Sequence, residues 1–206
     1  MIKQAFLATS HHYSGDNQLS EYLWSEIEKH YSDKKRHYHT LTHLDNLLSQ
    51  LMLVKNLIQD WDTIVFSVAY HDVVYNALKH DNEAKSALFA QKSLQKLSVS
   101  SPQIERCMTQ IIATKSHQIS DDADINLLTD ADLSVLGQAW PIYQQYYQQV
   151  RKEYSIFPDF VYRPGRKKVL RHFLEMAHIF KTEAFAQRLE TQARHNMEQE
   201  LSELSR

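Results

Sequence analysis

A chain that reverses direction often needs residues that turn it, and this one has few: three glycines and four prolines in 206 residues. Sheet proteins and doubly wound folds use these two residues at their tight connections. Their scarcity points to an all-α fold, a helical bundle. The length, with 43% hydrophobic residues, suits one core and would be cramped for two, so a single domain over residues 1–206 is expected.

Polar punctuation separates about eight or nine helical segments. In "LSEYLWSEIEKHY", Leu19, Tyr22, Leu23, Ile27 and Tyr31 share one side. "TLTHLDNLLSQLMLVKNLI" repeats apolar residues at helical spacing from Leu41 to Ile58. Asp62 and Thr63 are then expected to cap the run "IVFSVAYHDVVY", which is apolar all round and therefore central. Its β-branched content would also suit a strand. On a strand, however, His71 and Asp72 would face opposite ways, whereas on a helix they diverge by about 100° and can both reach one ion. Further helices are expected in "DNEAKSALFAQKSLQKL", in "SPQIERCMTQIIATKSH" starting at Ser101 and Pro102, and in "DDADINLLTDADLSVLG" with Gly137 as C-cap. "PIYQQYYQQVRKEY" reads as an amphipathic helix, "FPDFVYRPGRKKVL" as the one long loop bearing Pro and Gly, and the tail from Val169 as two helices broken near Lys181 and Thr182.

Charge and cysteine usage exclude several classes of function. A formal charge of -2 provides no basic field for long nucleic acid, although a small anionic ligand is allowed. The lone Cys107 rules out an internal disulfide framework, the opening "MIKQAFLATSHHYSGD" lacks an apolar signal core, and no run suits a membrane span. A cytoplasmic protein with no membrane partner is expected; a homodimer is left open.

Twelve histidines are the compositional oddity. His11, His12, His30, His80, His172, His178 and His195 lie in polar or helix-surface contexts and read as solvated or capping residues. Four others, with three aspartates, mark three stations: His37, His39 and His43 in "RHYHTLTHL"; His71 and Asp72 in "AYHDVVYN"; and Asp130 and Asp132 in "LLTDADLSVLG". Ionisable groups inside an apolar run are costly unless paired, so the His71-Asp72 doublet is either a buried hydrogen-bonded pair or part of a metal site. Imidazoles and carboxylates on separate rigid elements suit a divalent ion such as Mn, Fe, Zn, Ni or Mg rather than a thiolate-seeking metal.

A His, a later His-Asp doublet and a distal Asp in this order resemble the HD superfamily of metal-dependent phosphohydrolases. Within it the chain is similar to the small bacterial group described as predicted metal-dependent HD phosphohydrolases, through "RHYHTLTHL", "AYHDVVYN", "DNEAKSA", "LLTDADLSVLG" and "ARHNMEQEL". The resemblance covers about residues 20–200 as the core and implies a helical bundle of the HD-domain type with a metal in it, held by His43, His71, Asp72 and Asp132, with Asp130 as the alternative distal ligand. It implies hydrolysis of a phosphate ester on a small molecule, a nucleotide or related metabolite, by water activated on the metal. Glu83 and His117 are the candidates to move protons there, and each also reads as an ordinary helix-end residue. His39, four residues before His43, would share its face if the helix extends back that far, and it could contact substrate phosphate. HD enzymes acting on guanosine polyphosphates carry an acidic pair after the doublet; Val73, Val74, Tyr75 and Asn76 stand there instead, so that substrate is not implied.

The basic stretch "YRPGRKK" adds a candidate anion cradle from Arg163, Arg166, Lys167 and Lys168, or else a solvated loop. Two other readings stay open: a di-iron oxygenase of the HD type, and a non-catalytic module that keeps a metal for structure or ligand sensing.

Overall fold

A computed structural model describes residues 1–205. Among them the chain is all-helical, with ten α-helices, two short 3-10 segments and no strand. None of these helices is long and apolar enough to cross a membrane. The chain divides into two compact units, Met1–Ala131 and Asp132–Arg206.

The first unit is built around one buried helix. Helix α1 spans Ile2–Ser14, α2 Asn17–Tyr31, α3 Leu41–Met52, α4 Trp61–Tyr70, α5 Asn82–Lys96, α6 Ser101–Ala113 and α7 Ala123–Asp132. In α4 every residue from Thr63 to Tyr70 is buried, and α1, α3, α5 and α6 pack against it. The all-round apolar run is thus central, as its pattern requires. The amino-terminal segment, which shows no strong periodicity, is a helix all the same: Phe6 is fully buried with its ring 5.7 Å from Trp24, 5.9 Å from Phe66 and 5.8 Å from Tyr70. It ends at Gly15, whose left-handed φ of 63° needs no strain in glycine, and Asp16 starts α2 by accepting from the backbone N–H groups of Gln18 and Leu19.

Several boundaries differ from those expected. Helix α3 stops at Met52, and a 3-10 turn follows at Lys55–Leu57. The cap of α4 is Asp60, two residues before Asp62; its carboxylate accepts from the N–H and hydroxyl of Thr63. The doublet is not inside α4 but at its end: His71 is the C-cap and Asp72 lies in the turn beyond. Tyr22 of the predicted apolar stripe is exposed, and Trp24 is buried instead.

Asp124 ties the start of α7 to that of α4. Fully buried, it accepts from the backbone N–H of Gln59 at 2.8 Å and of Asp60 at 2.9 Å. Arg106 of α6 reaches it at 3.1 Å and grips Asp122 through two nitrogens, at 3.0 and 3.1 Å. Burial raises the Asp122 pKa, but the Arg106 guanidinium and backbone N–H donors outweigh it and hold the carboxyl below the usual range.

In the second unit, a 3-10 segment at Leu133–Gly137 is followed by α8 (Trp140–Glu153), α9 (Asp159–Glu175) and α10 (Glu183–Glu203). Gly137 is no left-handed cap. It is required by close approach, because a Cβ there would lie 2.5 Å from the Leu189 Cβ of α10. Asn196, also on α10, donates to the Leu136 and Gln138 carbonyls at 2.8 and 2.7 Å. The stretch expected to be a loop is helix α9, with Pro164 and Gly165 inside it. Tertiary bonds override the local breakers: Arg151 grips Asp159 and the carbonyls of Tyr154 and Phe157 at its start, Arg166 is locked to Glu200 of α10, and Leu170 is buried.

Arg106→Ala leaves the buried Asp124 carboxylate without its cation and should lower stability by about 1–3 kcal/mol in urea unfolding. Because the folded Asp122 pKa is depressed, its contribution is present above the unfolded value of about 3.9 and is lost as pH falls through the lower folded value. The variant should therefore show a shallower loss of stability in acid than the wild type. In the second unit, Gly137→Ala should cost about 1–3 kcal/mol by the same measurement, because the Leu189 backbone must move.

Candidate metal centre

The end of α4 and the start of α3 bring imidazoles together. Thr40 precedes α3 as its N-cap, so His43 lies in the first turn and points its ring to the buried side with Leu44 and Leu47. His71 closes α4 and is equally buried. Their Nε2 atoms are 3.2 Å apart. Asp72 presents Oδ2 at 3.1 Å from His71 Nε2 and at 3.9 Å from the Nε2 of both His43 and His39. Asp132 completes the group: one ligand atom each from His43, His71 and Asp132 lie within 4.8 Å of one another. Asp132 is the last residue of α7, so its position is set by a helix whose preceding residues all belong to the first unit.

Hydrogen bonding fixes which nitrogen of His71 faces the site. Its Nδ1 lies 3.0 Å from the Val68 carbonyl oxygen, which only accepts, so Nδ1 carries the proton. In the neutral ring Nε2 is then an acceptor, and it faces both another imidazole nitrogen and a carboxylate oxygen. A proton on the His43 Nε2 would join the two imidazoles, and a metal ion can take its place. A second proton on His71 would account for the bond to Asp72 alone, whereas a metal ion draws on all the converging donors. The spacing also fits: two nitrogens, each about 2.1 Å from one ion with about 90–110° between them, stand about 3.0–3.4 Å apart. His43, His71 and Asp132 therefore form a group able to hold a metal ion, with Asp72 beside it.

His39 does not share the helix of His43, because α3 begins two residues after it. It still approaches, half-buried, with its ring 5.8 Å from that of His43 and stacked 4.1 Å from Tyr75. Asp130 is fully buried two residues before Asp132, which on a helix turns it to another side. Glu83 is half-buried in the first turn of α5. His117 follows α6 with a left-handed φ of 52°, and its N–H donates to the Ala113 carbonyl as a helix-closing bond. The structure does not gather Glu83 or His117 into the ligand group.

The basic stretch, open to reading as an anion cradle or a solvated loop, lies within α9. Arg166 pairs through Nε and Nη2 with Glu200 at 2.7 and 2.9 Å, deep in the second unit, where Tyr143 also donates to Glu200. Burial pushes the Tyr143 hydroxyl pKa up, and the Glu200 charge adds to the rise. Arg163 is exposed and Lys167 is half-buried on the same helix.

Other residues that shape the site escaped the reading of the sequence. Arg36 donates to the carbonyls of Asp72, Val73 and His39; the Tyr31 hydroxyl accepts from the Asp72 N–H; and Ser86 and Asn82 of α5 bond the backbone of Val74 and Asn76. The signal was present for two of these: Asn82 and Ser86 are four apart in "DNEAKSA", on one helix face. Comparison of the chain with family models, with curated proteins and with solved structures gives no match.

Asp72→Ala should lower divalent metal content while leaving helical circular dichroism intact. Full metal occupancy in that variant would remove Asp72 from the ligand set. Arg166→Ala, which leaves Glu200 buried without its cation, should cost about 3–5 kcal/mol in thermal or urea unfolding and leave metal content unchanged.

Proposed function

We propose that the chain is a metal-dependent hydrolase of the HD type, acting on a phosphate ester of a small molecule such as a nucleotide or related metabolite. The observation that carries this reading is the convergence of the His43 and His71 Nε2 atoms, 3.2 Å apart, on carboxylates from Asp72 and Asp132. The order of these four residues in the chain agrees with the HD pattern.

In this reading His43, His71, Asp72 and Asp132 hold the ion, and the Val68 carbonyl keeps His71 in the tautomer that presents Nε2. A divalent ion there supplies Lewis-acid polarisation of a phosphoryl oxygen and makes water acidic enough to react near neutral pH. His39, half-buried and held against Tyr75, donates a hydrogen bond to a phosphoryl oxygen and so orients the substrate. Glu83 and His117 are the proton carriers of this proposal, each at the end of a helix that packs on α4. Arg166 has no part in phosphate binding here, because its guanidinium is committed to Glu200. The exposed Arg163 and the neighbouring Lys167 are the remaining basic candidates from that stretch.

Protein purified without added metal should carry a divalent ion by elemental analysis and should release phosphate from at least one compound in a broad phosphatase and nucleotidase screen. Stripping with EDTA should abolish turnover, and re-addition of Mn2+, Fe2+ or Zn2+ should restore it. A fully metallated protein inactive across that screen would overturn the hydrolase reading while leaving the metal site standing.

A further inference from the structure

A helix end has no intrinsic rigidity, yet the ligands at the end of α4 must hold their positions to tenths of an ångström if they are to select and retain an ion. His71 is still helical, but Asp72 lies beyond the last turn. What fixes it comes from elsewhere in the first unit. Arg36, between α2 and α3, is buried. Its Nη1 donates to the Asp72 carbonyl at 2.7 Å and to the His39 carbonyl at 3.2 Å, and its Nη2 donates to the Val73 carbonyl at 2.9 Å. The guanidinium carbon stands over two rings, 4.7 Å from the Tyr31 centroid and 5.6 Å from that of Tyr75. Tyr31 accepts from the Asp72 N–H at 3.1 Å, so the Asp72 residue is held at both its N–H and its carbonyl. Tyr75 in turn stacks on His39.

We infer that Arg36, with Tyr31, is a positioning residue for this centre: its planar fork sets the backbone of Asp72 and Val73 and couples it to His39. The inference rests on the metal-site reading above. A guanidinium suits the task because its fixed donors reach several carbonyls at once while its faces accept aromatic rings. An ammonium has the charge but neither the fork nor the flat face, so the geometry requires arginine specifically. A buried cation with this placement also offsets the negative charge of Asp72 before any ion is bound. Arg36 touches neither ion nor substrate and acts through the residues that do.

The test compares full-length wild type, Arg36→Lys and Tyr31→Phe after EDTA stripping, each titrated with Co2+ and followed by its visible ligand-field absorption. Thermal unfolding of the metal-free proteins runs alongside. Arg36→Lys should lower Co2+ affinity by about 10–100-fold and shift the absorption band, a change of ligand geometry that a general loss of stability in a still-folded protein would not give. Tyr31→Phe should weaken binding in the same sense but less. Unchanged affinity and an unchanged band in Arg36→Lys would overturn the inference, as would a fall in affinity with the wild-type band retained. If Arg36→Lys does not fold, Tyr31→Phe decides: weaker binding with an altered band supports the clamp, and wild-type binding refutes it. A wild-type protein that binds no Co2+ would overturn the metal reading itself, an outcome distinct from wild-type binding with variants that bind equally well.

Discussion

The burial of α4 on every side is the constraint from which the first unit follows. A helix enclosed by α1, α3, α5 and α6 can satisfy its backbone along its length, but its unpaired N–H and C=O groups must be met at the two ends. At the amino end Asp60 caps the first turn, and the buried Asp124 holds the backbone just before it. At the carboxyl end the chain leaves the core through His71 and Asp72. Ionisable side chains of this segment are therefore confined to the helix ends, and the carboxyl end is where His39 and His43 arrive from either side of the start of α3.

The two ends differ in how their charges are balanced. Around Asp124 the carboxylates face Arg106 and backbone donors, a closed set in which each charge has a partner in the chain. At the other end imidazole nitrogens and carboxylate oxygens converge on one another, in a group able to hold a metal ion. That difference separates a structural ion network from a candidate metal centre more clearly than the number of charged residues at each place. The Arg166, Glu200 and Tyr143 cluster of the second unit belongs with the first kind, since a bidentate ion pair and a phenol saturate it.

A polar seam also runs through the core behind the site. Ser67 of α4 donates to Gln110 of α6 at 2.7 Å and lies 3.3 Å from Cys107, whose thiol pKa burial pushes up to about 12. The thiol is thus kept protonated and inert, and the seam sets the register of α6 against α4 by hydrogen bonding where apolar packing alone would allow sliding.

Periodicity and the scarcity of turn residues determined the all-helical class and the central place of the 64–70 run, and residue chemistry marked the three histidine and aspartate stations, because burial patterns and residue chemistry are local properties of a sequence. Local signals failed where long-range bonds outweigh them. Pro164 and Gly165 read as a loop, yet α9 passes through them because Arg151, Arg166 and Leu170 anchor it on other helices. Gly137 read as a cap, but its need is for closeness to Leu189, more than fifty residues away in the chain. The same reason hid Arg36, an arginine in a basic, polar stretch whose importance lies in three carbonyls that sequence patterns do not mark. Residue types and spacing determined what could assemble at the end of α4; only the packing of α2, α3, α5 and α7 around that end decided the distances at which it does.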